Sequence, residues 1–177
     1  MDSSGGRLRT QVGIMDGAEF QPIRRIVTGH DDSGRSVVWL DGEASNHKGG
    51  QPERRSTLLW ATDETPTQFL GEDDAGQWQL ETSPPPGGSR FCIIESLPGA
   101  THQQPHRTDT VDYVVCLAGE MTMDLDVGTV VLRSGDVLIQ RGTNHRWRNE
   151  GDDVARLAFV LVDGKPKNEV SLPEARR

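Results

Sequence analysis

His106, Asp112 and His145 are the residues whose types and spacing point most directly to chemistry. His106 precedes one stretch of β-forming residues, Asp112 lies within it, and His145 begins a later stretch. Neutral imidazoles and a carboxylate form a donor set that suits Fe(II), Mn(II), Ni(II), Co(II) or Zn(II) and leaves coordination positions open for a substrate. The sequence therefore predicts a divalent-metal site in which these three residues are both the ligands and the catalytic centre.

Strand periodicity decides whether these side chains meet. Side chains alternate between the two faces of a strand, so a regular segment projects His106, Thr108 and Asp112 to one face. A bulge between positions 108 and 112 would change that count. On the later strand, His145 and Trp147 share a face. A barrel brings two such inward faces within a few ångströms of each other, and we therefore expect an enclosed site.

The elements that must position these residues are short strands. From Phe91 onwards, β-forming runs alternate with glycines at a spacing typical of a sandwich or barrel, and no amphipathic helix of ordinary length is evident. The fold class is therefore predicted as all-β. The predicted strands are Phe91–Leu97, Asp112–Leu117, Glu120–Asp126, Thr129–Leu132, Asp136–Gln140, His145–Asn149 and Val154–Val162.

The length of 177 residues predicts one domain. Its first 20 residues are polar and aperiodic, which predicts a mobile tail from which Ile14 or Phe20 would dock on a partner subunit. Next come a hairpin, a strand at Ser56–Thr62 and a polar loop over 71–89, placed across a pocket mouth. The predicted organisation is a tail over 1–20, an N-terminal β extension over 21–90, a barrel core over 91–163 and a C-terminal tail over 164–177.

Composition argues against several kinds of partner. A formal net charge of -8 disfavours nucleic acid and anionic membranes. The longest apolar runs are about six residues, against the roughly 20 that a membrane helix needs. The N-terminus lacks the pattern of a secretory signal. The two cysteines, Cys92 and Cys116, lie in apolar runs and are predicted to be buried free thiols, so we expect a cytoplasmic protein.

The two site segments resemble the two motifs of the cupin superfamily. The first motif contains His-x-His, then a glutamate and a glycine, and the second contains Pro-x-Gly, then a histidine and an asparagine. The resemblance covers residues 88–162 and extends more weakly over 21–70, and it is nearest to small single-domain bacterial and fungal cupins. It implies a double-stranded β-helix, or jelly-roll barrel, and a homodimer. The matching positions are Gly99, His106, Thr108, Asp112 and Gly119, followed by Gly135, Gly142, His145 and Asn149.

This sequence departs from the cupin motifs at two positions. Thr108 stands where the family has its second histidine, and Asp112 stands where it has a glutamate, so four protein ligands fall to three. The remaining set would either act as an open facial triad or bind metal weakly or not at all. His102 would be a substitute ligand or a loop residue at the pocket rim.

Several other residues are candidates for contact with a substrate. Trp147 is predicted as an apolar wall, with core packing as its alternative, and Gln140 as a polar anchor, with a surface position as its alternative. Arg141 is the candidate anchor for an anionic substrate. Thr108 and His102 complete this predicted substrate-binding set.

Three functions remain open from the sequence. The first is a metal-dependent enzyme on a small organic acid, phenolic or polyketide-like molecule. Iron would favour a dioxygenase, whereas zinc or nickel would favour a lyase, isomerase, dehydratase or cyclase. The second is a metal-free binding or sensing module, which Thr108 supports. The third is a metal-free enzyme that uses the same three side chains for acid–base catalysis.

Overall fold

The computed structural model describes residues 19–49, 51–102, 104–167 and 172–175. These residues form eleven strands and one short 3-10 helix, Ala75–Gln77. The all-β fold class predicted from the sequence is confirmed. No helix in this part of the chain is long and apolar enough to cross a membrane. The strands are β1 (Arg24–His30), β2 (Ser36–Glu43), β3 (His47–Lys48), β4 (Arg54–Thr62), β5 (Ser89–Ser96), β6 (Thr110–Ala118), β7 (Glu120–Leu125), β8 (Thr129–Arg133), β9 (Val137–Arg141), β10 (His145–Arg148) and β11 (Ala155–Asp163).

Two antiparallel sheets build the barrel. The larger has the strand order β3-β4-β5-β11-β6-β9, and the smaller has the order β10-β7-β8. Their facing sides bury one apolar cluster, to which β5, β6, β7, β8, β10 and β11 all contribute. In β11 every second residue is buried, because a strand sends alternate side chains to opposite faces. The inward residues of this strand are Ala155, Leu157, Phe159 and Leu161.

The core between the two sheets contains two methionines and both cysteines. Met121 and Met123 are buried between the sheets, and Cys92 and Cys116 are buried free thiols as expected. Leu125, which alternates with the two methionines, is 38% exposed because it lies at the end of β7.

The N-terminal part of the chain has two roles. Strands β1 and β2 form a separate hairpin sheet, as the turn residues predicted. Strands β3 and β4 instead join the larger barrel sheet through β5, so part of the predicted extension belongs to the barrel wall. A second apolar cluster of Ile23, Ala44, Leu59 and Ile93 attaches the start of the described chain to the outer face of that sheet.

The chain ends are described only in part. The prediction for Ile14 and the rest of residues 1–18 lies outside the described residues. Phe20, a candidate for docking on a partner, contacts Arg55 of its own chain, whose guanidinium carbon lies 4.9 Å from the ring centroid; its docking on a partner stays a prediction. At the other end, the Pro173 carbonyl accepts a hydrogen bond of 2.9 Å from Arg107.

A buried ionic cluster joins three neighbouring strands on the outer face. The Glu95 side chain has no exposed surface and accepts from Arg55 on β4 and from Arg156 on β11, each at 2.7 Å. Both arginines also donate to the Gln21 carbonyl. Removing one partner of such a cluster would leave a buried charge uncompensated and would destabilise the contact between these strands.

The turn between β6 and β7 provides a test of the fold. Gly119 has φ +67°, and an added Cβ would lie 2.7 Å from the Val154 carbonyl oxygen and 2.9 Å from the Ala155 Cα. Gly119→Ala therefore combines strain with a backbone clash and should cost about 2–4 kcal/mol. The matched control is Gly128→Ala, at φ +92° with nothing within 4 Å, which should cost only about 1 kcal/mol. Equal losses in urea unfolding would contradict the described turn.

Candidate functional site

A two-residue bridge between the sheets sets the position of both histidines. His106 precedes β6, and His145 is the first residue of β10. Their backbones exchange two N–H···O hydrogen bonds, each 2.9 Å long. Residues paired in this way across an antiparallel ladder hold their side chains on the same face. The two imidazole centroids are accordingly 4.5 Å apart.

Rings flank this histidine pair on both sides. The His102 ring lies 5.0 Å from that of His106, and the Trp147 ring lies 5.8 Å from that of His145. Trp147 in turn meets Phe159 edge to face at 5.9 Å. The His102 backbone N–H donates to the Trp147 carbonyl at 2.9 Å, which holds this loop against β10. His102 is therefore a half-buried residue of the cavity wall.

Asp112 is the buried carboxyl group of the site. It is 3% exposed and lies directly opposite Gln140, whose Nε2 donates to Oδ2 at 3.0 Å. The other oxygen, Oδ1, is buried and has no hydrogen-bond partner of normal geometry among the described residues. Burial raises the pKa of Asp112 to about 6, although the Thr110 side chain opposes this shift. This carboxyl group can therefore change protonation state near neutral pH.

Thr108 occupies the position of the missing motif histidine. Its hydroxyl is 2.7 Å from that of Thr110, and both side chains are buried. A hydroxyl is a poor ligand for a late divalent metal, and this one already has a partner. Thr108 therefore forms a polar part of the wall.

These side chains line one cavity of about 480 Å³ inside the barrel. The structure brings seven of the eight predicted site residues to it. Arg141 is the exception: it is exposed and follows the inward-facing Gln140 on β9, so strand alternation turns it to the opposite face. The residues brought together are His102, His106, Thr108, Asp112, Gln140, His145 and Trp147.

One side of the cavity is basic, a feature that the sequence reasoning missed. Lys48, Arg54, Arg55 and Arg90 line it, and all four precede the predicted barrel core. The signal in the sequence was the Arg54-Arg55 pair, which starts β4. Predicting its role required knowing that β4 belongs to the barrel wall.

The donor chemistry suits a divalent metal, but the arrangement does not form a complete site. The histidine pair provides two imidazoles at close range, and the partnerless Asp112 oxygen provides a carboxylate donor. Nevertheless, no three His, Cys, Asp or Glu side chains in the described residues are grouped closely enough to hold one ion. The three predicted ligands share a cavity without forming a three-ligand cluster, so no chemical step is assigned to a metal here.

Comparison with known proteins shows the family of this chain. Residues 92–162 match the cupin domain family. Two phomopsin biosynthesis cluster proteins of Diaporthe leptostromiformis, C′ and D, are each 36% identical to the chain over 158 residues, covering 84% of it and 82% of their own lengths. The chain belongs to the cupin family.

Other relatives of this cupin extend the comparison. A cupin-domain-containing oxidoreductase of Aspergillus ruber, fogC, is 33% identical over 164 residues, covering 83% of this chain and 78% of its own. Among solved structures, KdgF from Halomonas sp. is 12% identical with a TM-score of 0.47, covering 67% of this chain and 86% of its own. Cupins commonly bind a divalent metal.

The buried state of Asp112 predicts how stability depends on pH. Because its pKa rises from 3.8 to about 6 on folding, the native state binds more protons between these values, and stability falls as pH rises through this window. Asp112→Asn removes the free-energy cost of ionising a buried carboxyl group. In metal-free buffer it should be more stable than the wild type at pH 8, by up to about 3 kcal/mol, and should lose that advantage near pH 4.

Urea unfolding of both proteins at a series of pH values measures this difference. The matched control is Asp152→Asn, which changes an exposed carboxylate. A constant difference between Asp112→Asn and the wild type across the pH range would contradict the burial of this carboxyl group.

Proposed function

We propose that this cupin is an enzyme of secondary metabolism that transfers protons to and from a small organic molecule inside the barrel. The observation that carries the proposal is the meeting of His106, His145 and Asp112 in one cavity of about 480 Å³. A cavity of this volume suits a small organic substrate. The names of the relatives support the metabolic setting, since several are biosynthesis cluster proteins or cupin-domain-containing oxidoreductases.

His145 has the geometry of an oriented base. Its Nδ1 lies 2.9 Å from the Thr143 carbonyl oxygen, which can only accept a hydrogen bond. In the neutral ring Nδ1 therefore carries the proton, and Nε2 is the basic nitrogen. The backbone bridge to His106 fixes the ring further. An imidazole held in this way can take a proton from a bound molecule and return it.

Asp112 is suited to the complementary role. Gln140 holds Oδ2 at 3.0 Å, which leaves Oδ1 as the oxygen that can exchange a proton with a bound molecule. A group whose pKa lies near the working pH is the most effective general acid or base. Isomerisation, dehydration or cyclisation requires one group to remove a proton and a second to deliver one, and these residues provide both within one cavity.

A metal-dependent enzyme is the second candidate, favoured by the 4.5 Å separation of the imidazole centroids. His106, His145 and Asp112 are the residues that would hold the ion. When bound, zinc, nickel or manganese would supply Lewis-acid activation of the substrate, and iron would supply activation of dioxygen.

A homodimer through the β9 edge completes the proposal. Among the described strands β9 pairs only with β6, so its other edge has open backbone hydrogen-bonding groups. Two of its three outward side chains are apolar, with Val137 71% and Ile139 52% exposed, and the third is Arg141. Two copies of one edge strand can pair antiparallel about a two-fold axis. Such pairing would extend the larger sheet across the dimer and cover these side chains.

Catalysis can be tested by proton exchange in D₂O. NMR would follow deuterium entry at the carbon beside the carbonyl group in a panel of keto acids and phenolic ketones. The untagged protein should accelerate exchange, and His145→Ala and Asp112→Asn should each slow it about 10²-fold or more. His30→Ala and Asp152→Asn alter exposed residues and are the matched controls.

Metal analysis of the same preparation separates the candidates. Proton transfer by side chains alone predicts exchange that survives EDTA. One equivalent of metal, together with loss of activity on chelation, would favour the metal-dependent enzyme. If the panel shows neither exchange nor metal, both enzymatic candidates are contradicted and the binding module of the sequence analysis remains.

The dimer can be tested by light scattering after size-exclusion chromatography. The wild type should elute at twice the 19.5 kDa mass of one chain. Ile139→Glu should give a monomer, because it places a charge in the proposed interface. The control is Val127→Glu, at a residue 91% exposed in the turn after β7, which should leave the mass unchanged. A monomeric wild type would contradict the proposal.

A further inference from the structure

Arg54 stands out among the basic residues of the cavity. It begins β4, lies directly opposite Ser96 on β5, and lines the cavity together with His102, His106 and His145. Its neighbour Arg55 also touches the cavity, but its guanidinium pairs with Glu95 on the outer face. Strand alternation therefore gives the two consecutive arginines different surroundings, and Arg54 is the one on the cavity side.

The three other cations of the cavity each have hydrogen-bond partners, although the buried Nε of Arg90 has none among the described residues. Lys48 pairs with Glu81 at 2.7 Å, Arg55 with Glu95, and the Arg90 guanidinium donates to the Glu81 and Thr82 carbonyls. The Arg54 guanidinium makes no hydrogen bond or ion pair with any residue in the described ranges. It is partly buried nonetheless, and burial lowers its pKa to about 10. Arg54 thus remains charged at neutral pH; its sequence neighbour Glu53 favours that charge electrostatically, but the described residues form no ion pair with Arg54.

The cavity also differs in charge from the rest of the protein. The chain carries a formal net charge of -8, yet among the described cavity residues Asp112 is the only acid, beside Arg54 and Arg90. Lys48 and Arg55 also line the cavity, but each is paired with a carboxylate. A concave site lined by one sign of charge concentrates ligands of the opposite sign. The cavity therefore favours an anion even though the protein as a whole repels one.

We infer that Arg54 binds the carboxylate of an organic acid and thereby selects the substrate class of the site. This inference rests on the proposed function for the cavity. The planar guanidinium matches a carboxylate through two parallel hydrogen bonds. The single guanidinium of Arg54 balances one carboxylate, whereas a phosphate dianion would leave a second charge unpaired by it. Trp147, Phe159 and Leu161 provide apolar walls for the rest of the molecule.

Calorimetric titration with matched probes tests this inference. The wild type should bind 2-naphthoate at least tenfold more tightly than its neutral analogue 2-naphthamide. Arg54→Gln should remove that difference by weakening naphthoate alone, and Arg54→Lys should restore part of it. Arg24→Gln, which alters an exposed arginine of the hairpin, should bind as the wild type does.

The thermal stability of Arg54 variants distinguishes a ligand-binding role of Arg54 from a structural one. An arginine that holds the fold together would lower the melting temperature when removed, whereas a desolvated cation without a partner should not. We therefore expect Arg54→Gln and Arg54→Leu to melt at or above the wild-type temperature in the absence of ligand.

The results that would overturn this inference differ from the results that would overturn the proposed function. Equal binding of naphthoate and naphthamide, unchanged naphthoate binding in Arg54→Gln, or no binding of naphthoate, benzoate or hexanoate to the wild type would each overturn the inference. Stronger binding of naphthyl phosphate than naphthoate would overturn the carboxylate assignment. If naphthoate binds through Arg54 while Asp112→Asn and His145→Ala keep wild-type exchange rates, only the proposed chemistry fails.

Discussion

The site depends on the paired backbone hydrogen bonds between His106 and His145. This bridge connects the segment before β6, in the larger sheet, to the first residue of β10, in the smaller one. Each bond is 2.9 Å long, and together they fix the distance between the sheets at the end where the cavity lies. Both imidazoles project from the bridge, so their 4.5 Å separation follows from backbone geometry and not from contacts between side chains.

The sequence predicts those parts of the fold and the site that depend on neighbouring residues. Strand alternation correctly placed Asp112 and Trp147 inward, because a period of two needs only neighbouring residues. The glycine turns gave the strand boundaries to within about two residues. The same rule, applied from Gln140, would have turned Arg141 outward, so that prediction failed through incomplete use of a local signal.

The role of Arg54 lay beyond local reasoning for a different reason. Its position follows from the pairing of β4 with β5, two strands separated by a polar segment of more than 20 residues. Neither the composition of that segment nor the arginine pair specifies which sheet β4 joins. Long-range pairing also decides how His106, Asp112 and His145 are spaced, so sequence spacing predicted their shared cavity but not whether they converge on one ion.

The arrangement of charge inside the barrel opposes stability. Within the described part of the chain, one buried oxygen of Asp112 has no hydrogen-bond partner and Arg54 has no ion pair, whereas Glu95 is compensated by two arginines. Uncompensated polar groups destabilise a folded protein, so they are expected mainly where a ligand completes them. The two groups have opposite charge and lie on different strands, β6 and β4. Recognition and chemistry can therefore change independently in this barrel, because a substitution on β4 alters which molecule binds and leaves the histidine bridge intact.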